Sequence, residues 1–133
     1  MPASKEKALQ SIEKAKRWLE EACKANESIA FDSSVLASYL AMFHASRAIL
    51  FFDGYREKSH ACVARYLEEK YVKTGKFEKE WVELLDHHRE IRHAGQYDLS
   101  FSATEDESEK ALDSSSKYVE RMEALLKSLM DKK

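Results

Sequence analysis

Glycine and proline are scarce, with three Gly and one Pro in 133 residues. Sharp turns and positive-φ corners are correspondingly few, and long uninterrupted helices are favoured. Cysteine is scarce too. Cys23 and Cys62 fall in separate helical segments with no CxxC spacing, which argues against zinc and redox-motif readings; each is expected to be a small buried hydrophobe. Charge of one sign is not in excess: 22 Lys and Arg against 24 Asp and Glu give a net charge of −2 and an isoelectric point near 6.2. No whole-molecule basic field exists to hold a long nucleic acid, so any RNA or nucleotide contact has to be local. No apolar run approaches the length of a membrane span, and the opening MPASKEK lacks the apolar middle of a signal peptide. A cytoplasmic protein with no membrane partner is expected.

What is present is 44% hydrophobic and 35% charged residues, dominated by Ala, Leu, Glu and Lys. A chain of this length is expected to form one domain over residues 1–133, with a core that needs no metal or disulfide staple. The centre of the pattern is Phe31 to His60, FDSSVLASYLAMFHASRAILFFDGYREKSH. Asp32, Ser33 and Ser34 suit a helix start, Asp53-Gly54 suits a stop, and the residues between predict one helix about 30 Å long. Its apolar residues cover more than one face, as in a rod surrounded by other helices.

Before it, Ala8, Ile12, Ala15, Leu19 and Ala22 draw a single apolar stripe, and Asn26-Glu27-Ser28 makes a polar link. After it, Ser59 suits the cap of a third helix ending near Thr74-Gly75, with Cys62, Val63, Tyr66 and Leu67 inward. A fourth helix starting near Lys76 carries Phe77, Trp81, Leu84, His88 and Ile91 on one stripe, and Gly95 is expected to interrupt or kink it. His88 on that stripe reads as a hydrogen-bonded core histidine rather than a ligand. A loop over Asp98-Leu99-Ser100-Phe101 leads to two overlapping capping boxes, Ser102 to Glu105 and Thr104 to Glu107, and a fifth helix. No strand signal or repeat appears. The fold class is all-α, an up-and-down bundle of four to five helices.

Chemistry concentrates in DHHREIRHAGQYD, residues 86–98. Helical spacing puts Arg89, Arg92, His93 and Gln96 on one side and brings His93 beside Tyr97 if the turn persists past Gly95. Guanidiniums that keep their charge, next to imidazoles that titrate, suit a small anion site for a phosphate. Asp86 and Glu90 support the other reading, intrahelical ion pairs. His44 and Arg47, on adjacent turns of the central helix, are further polar candidates, with a buried structural histidine as the alternative for His44. His60, beside the Ser59 cap, reads as a capping or structural residue. His87 or His88 with His93 lacks the spacing of an HExxH helix, and no nucleophile elbow is present, so neither a metal nor a Ser-His-Asp triad is expected. No cofactor is implied.

The run SYLAMFHASRAILFFDGYREKSH, the helix ending KTGKF, then HREIRHAGQYD, and a last helix with Ala111, Tyr118 and Val119 together resemble the HEPN domain, the higher eukaryotes and prokaryotes nucleotide-binding domain. The likeness is sharpest to small stand-alone prokaryotic members with a K-[ST]-H turn and an R-x4-Y-D motif, here Lys58-Ser59-His60 and Arg92 to Tyr97-Asp98. The resemblance implies a helical bundle, a homodimer, and association with a minimal nucleotidyltransferase in toxin–antitoxin-like systems. It also implies a ligand site of Arg89, Arg92, His93, Tyr97 and Asp98, with a nucleotide or RNA as ligand. Many members are metal-independent ribonucleases in which a His follows the Arg by four to six places. Here four residues separate Arg92 from Tyr97, and His93 follows Arg89 after only three. A phenol with a pKa of about 10 is a poor general base near neutrality, and losing acid–base help costs about 10²–10⁴-fold. The sequence therefore favours a non-catalytic binding or partner component; the alternative is a ribonuclease using Arg92 with His93, Tyr97 or a His from elsewhere.

Overall fold

The structure, a computed structural model, describes residues 2–132. Helices α1 (Lys5–Glu27), α2 (Phe31–Asp53), α3 (His60–Leu67), α4 (Lys79–Tyr97) and α5 (Glu105–Asp131) form an all-α bundle, and no strand occurs among the described residues. A π-helical turn, Glu68–Val72, extends α3.

α2 is the central rod. Small residues, among them Ser34, Ala37, Ser38, Ala41, Ala45 and Ala48, are buried along it, and α1 and α5 pack against it over most of their length. α2 has 23 residues, and a window of 18 residues within it has a mean hydropathy of 1.5, so it is long and apolar enough to cross a membrane, contrary to the sequence expectation. Its apolar surface is spent inside the protein, since 72% of that window is buried. Polar links set the register of the neighbours: Ser11 donates to the His44 carbonyl at 2.6 Å and Ser115 to that of Ser38 at 2.6 Å. Ser46 donates to the Met42 carbonyl, so its oxygen accepts from the buried Tyr118 hydroxyl at 2.6 Å.

The ends follow the capping chemistry. Ser4, Ser59 and Thr104 accept from Lys7, Cys62 and Glu107 backbone N–H groups, and Thr104 with Glu107 completes the second of the two expected boxes. Gly54 closes α2 at φ 75°. The short link after α1 turns at Ile29, which holds φ 63° although it is β-branched. In the π-helical turn, Tyr71 comes round to the same place as Tyr66, and both hydroxyls donate to Asp53 Oδ2, at 2.6 and 2.7 Å.

Three further expectations change. Gly95 does not break α4, which runs on to Tyr97. The glycine instead permits close approach: a Cβ there would stand 3.2 Å from Leu36 Cδ2 and 3.4 Å from Phe101 Cε2. Helix α4 begins at Lys79 rather than near Lys76, since Lys76 and Phe77 donate their N–H groups to the Tyr71 carbonyl. The cysteines are not buried hydrophobes: Cys23 is exposed, next to Ala22 on the stripe of α1, and Cys62 is half-buried in the first turn of α3, where the Ser59 hydroxyl meets its thiol. The loop from Asp98 to Ala103 is pinned to the start of α2, where Asp32 Oδ1 accepts from Ala103 N–H at 2.7 Å.

Candidate functional site

Tyr39, Phe43, Arg47 and Phe51 step by four along α2 and share one face. α4 crosses one end of this row and the start of α3 lies over its middle. The Arg92 guanidinium stands 5.9 Å from the centre of the Tyr39 ring. The Tyr39 hydroxyl lies 2.7 Å from His60 Nδ1, and the His60 ring stacks on Phe43 at 4.0 Å with 7° between planes. Farther along, the Arg47 guanidinium covers the Phe43 and Phe51 rings at 5.7 and 5.0 Å, and its Nε is 2.8 Å from Glu57 Oε1. Ser59 makes this possible by capping α3, which fixes His60 as the first helical residue and aims it at α2.

Charge and burial set the protonation of this row. Burial pushes the Tyr39 phenol up to about 12, with Arg92 and Arg89 pulling the other way. Burial, then Arg92, holds His60 below its ordinary value, against the opposing pull of Glu57. Burial, then Arg47 and Lys14, lowers His44 to about 4. Both imidazoles are thus neutral near pH 7 although they sit among cations. A phenol is a better donor than a neutral imidazole N–H, and an imine-type nitrogen is a better acceptor than a phenol oxygen. On that basis we assign the proton between them to Tyr39. The neutral His60 ring then carries its hydrogen on Nε2, which has no hydrogen-bond partner among the described residues. Arg92 and this N–H are donors suited to a phosphate oxygen.

The sequence candidates divide. Arg89 Nε pairs with Asp86 Oδ1 at 2.9 Å, as the ion-pair reading has it. Arg92 turns to Tyr39, whereas His93 and Tyr97 meet each other, rings 4.8 Å apart, at the end of α4, with Tyr97 70% exposed. Asp98 Oδ1 accepts from the Ser100 backbone and hydroxyl, which hold its carboxyl below the usual range. His44 and Arg47 line a groove between α1 and α2. His88 is buried, but its Nδ1 finds no hydrogen bond; it lines a cavity of about 230 Å³ with Val35, Ile91 and Phe101, and burial lowers it to about 4. Sequence reasoning did not single out Tyr39 for the site and read His60 as a capping or structural residue. The four-residue step through Tyr39, Phe43 and Arg47 was the available signal for the first; for His60 the Ser59 cap gave its position on α3, though nothing local gave its partner.

A helical bundle whose central rod carries a row of rings and one guanidinium, met at one end by an arginine of the fourth helix, defines a small α-helical domain with a cationic, ring-lined face. The chain belongs to the HEPN domain family, whose model matches residues 8–125. It is also similar to a protein of Methanocaldococcus jannaschii that bears the name "Putative toxin", at 27% identity over 101 residues, covering 76% of this chain and 69% of that protein.

Proposed function

We propose that this HEPN protein is toxin-like and acts by binding RNA or a nucleotide at the face formed by α2, α3 and α4, without cutting it. Arg92 and the His60 Nε2–H hold phosphate oxygens, and the face of the half-buried His60 ring turned away from Phe43 offers a surface for a base. The observation that carries this reading is the Tyr39–His60 hydrogen bond, 2.7 Å long; with its proton assigned to Tyr39, the other nitrogen of the neutral imidazole is a donor rather than a base. The name of the Methanocaldococcus jannaschii relative supports the toxin-like part. The resemblance supports a homodimer in the cytoplasm that pairs with a minimal nucleotidyltransferase. Tyr97, with its phenol exposed, is the side chain such a partner would nucleotidylate.

Binding of end-labelled transfer RNA and of nucleotides, measured by anisotropy and calorimetry, tests the reading. Arg92→Ala and His60→Ala are expected to weaken binding with the fold intact; absence of any binding by the unmodified protein rejects it. Intact-mass measurement after co-expression with a neighbouring nucleotidyltransferase checks Tyr97, which should gain a nucleotidyl mass that Tyr97→Phe lacks.

The second reading is a metal-independent ribonuclease, favoured by the presence of both Arg92 and His60 at the Tyr39 ring. In this reading an imidazole from α3 stands in for the His that the ribonuclease members carry four to six places after the Arg. RNA cleaved by the purified protein, with activity lost in His60→Ala and in Arg92→Ala, selects this reading; RNA left intact at high protein concentration removes it.

A further inference from the structure

A groove of about 520 Å³ runs between α1 and α2 and is lined by Lys7, Gln10, Lys14, Arg17, His44 and Arg47, with no carboxylate in its lining. This is unexpected on a protein whose net charge is −2. Arg47 is held by Glu57, and Gln10 donates to Glu6 at the rim. Lys7, Lys14 and Arg17 have no carboxylate partner among the described residues, whereas the neighbouring Lys16 is tied to Glu123 at 2.8 Å. The cations on α1 therefore form an open row on one face.

We propose that this groove binds the backbone of a phosphodiester strand and extends the α2–α3–α4 face along a second track. Lys7 to Arg17 spans ten residues of helix, or about 15 Å. A lone phosphate or carboxylate engages one step of that row; successive phosphates engage all of it. The groove is also continuous with the face already described, because Arg47 lies over both Phe43, which stacks with His60, and Phe51, which lines the groove. Ring faces interleaved with cations favour a strand carrying bases over an acidic peptide. The inference rests on the RNA-binding reading for its ligand, though the groove and the Arg92 face are separable by mutation.

The test is the anisotropy of end-labelled single-stranded RNA and DNA of one mixed sequence, measured between about 50 and 200 mM salt. The double variant Lys14→Gln, Arg17→Gln removes two phosphate contacts, and the slope of log affinity against log salt is expected to become shallower by about 1.4. Affinity falls several-fold, while Lys127→Gln on α5, exposed on another surface, leaves both quantities unchanged. Weakening in the groove variant, with either nucleic acid, supports the groove; if Arg92→Gln then has no effect, the groove stands and the Arg92 face falls. Weakening in Arg92→Gln alone overturns the groove and spares that face. A polyglutamate peptide of equal charge binding more tightly than RNA overturns the assignment to nucleic acid, and no binding of RNA or DNA by the unmodified protein overturns both. Lys14, Arg17 and Lys127 are exposed and Arg92 is half-buried; circular dichroism checks that each variant keeps its helices.

Discussion

The Tyr39 hydroxyl and His60 Nδ1 lie 2.7 Å apart and join the middle of α2 to the first residue of α3. This hydrogen bond and the stack on Phe43 orient the imidazole, and the assignment of the proton to Tyr39 gives its tautomer. Replacing Tyr39 by Phe keeps the ring beside Arg92 and removes only that bond. The expected results are loss of the single Nε2–H tautomer, read from imidazole nitrogen shifts, and a stability cost of about 1 kcal/mol. Nitrogen shifts unchanged by Tyr39→Phe would show that the phenol does not hold the ring.

His88 makes stability depend on pH. Its folded value is lowered from 6.5 to about 4 by burial, so between those limits the unfolded chain binds the extra proton. Stability is fully present above about pH 6.5 and is lost as pH falls toward 4. The loss attributable to His88 approaches about 3 kcal/mol at the acid end. Urea unfolding at stepped pH values should show this fall, and His88→Phe should flatten it. An equally steep fall in His88→Phe would assign the effect elsewhere, with His44, also lowered to about 4, as the next group to replace.

Gly95 is required by packing rather than by a helix break. A methyl at 3.2 Å from Leu36 Cδ2 is crowded, but the alanine gains up to about 1 kcal/mol of helix propensity. Gly95→Ala is expected to stay within about 1 kcal/mol of the parent. Gly95→Leu should cost roughly 1–3 kcal/mol by displacing Phe101. Thermal unfolding distinguishes the two, and a leucine variant as stable as the parent would contradict the close approach.

Ile29 is a β-branched residue at φ 63° and is 75% exposed. Its side chain gives up little burial, so the left-handed backbone is nearly all cost. Ile29→Gly should raise stability by about 1 kcal/mol, visible as a higher midpoint in urea. A lower midpoint would mean that the side chain makes contacts worth more than the strain.

The helices were legible because their signals are local. The four-and-three spacing of Ala8, Ile12 and Ala15, the Ser59 cap, the Thr104–Glu107 box and the Gly54 stop each act within one or two turns, and each appears where its chemistry requires. Gly95 misled because a glycine in a helix reads as a break until the neighbours that need its missing Cβ are known. Cys23 misled for a related reason: one position past Ala22 on the apolar stripe of α1, it faces out.

The sequence by itself determined the helical class, the order of the helices and the HEPN resemblance, since periodicity and capping are properties of short stretches of chain. Tertiary structure alone decided that Arg92 leaves the company of His93 and Tyr97 to meet Tyr39. It also decided that the imidazole nearest this face comes from α3, 21 residues along the chain from Tyr39. Which donors converge on one point depends on how the rods cross, and crossing is set by packing against α2 that no local spacing encodes.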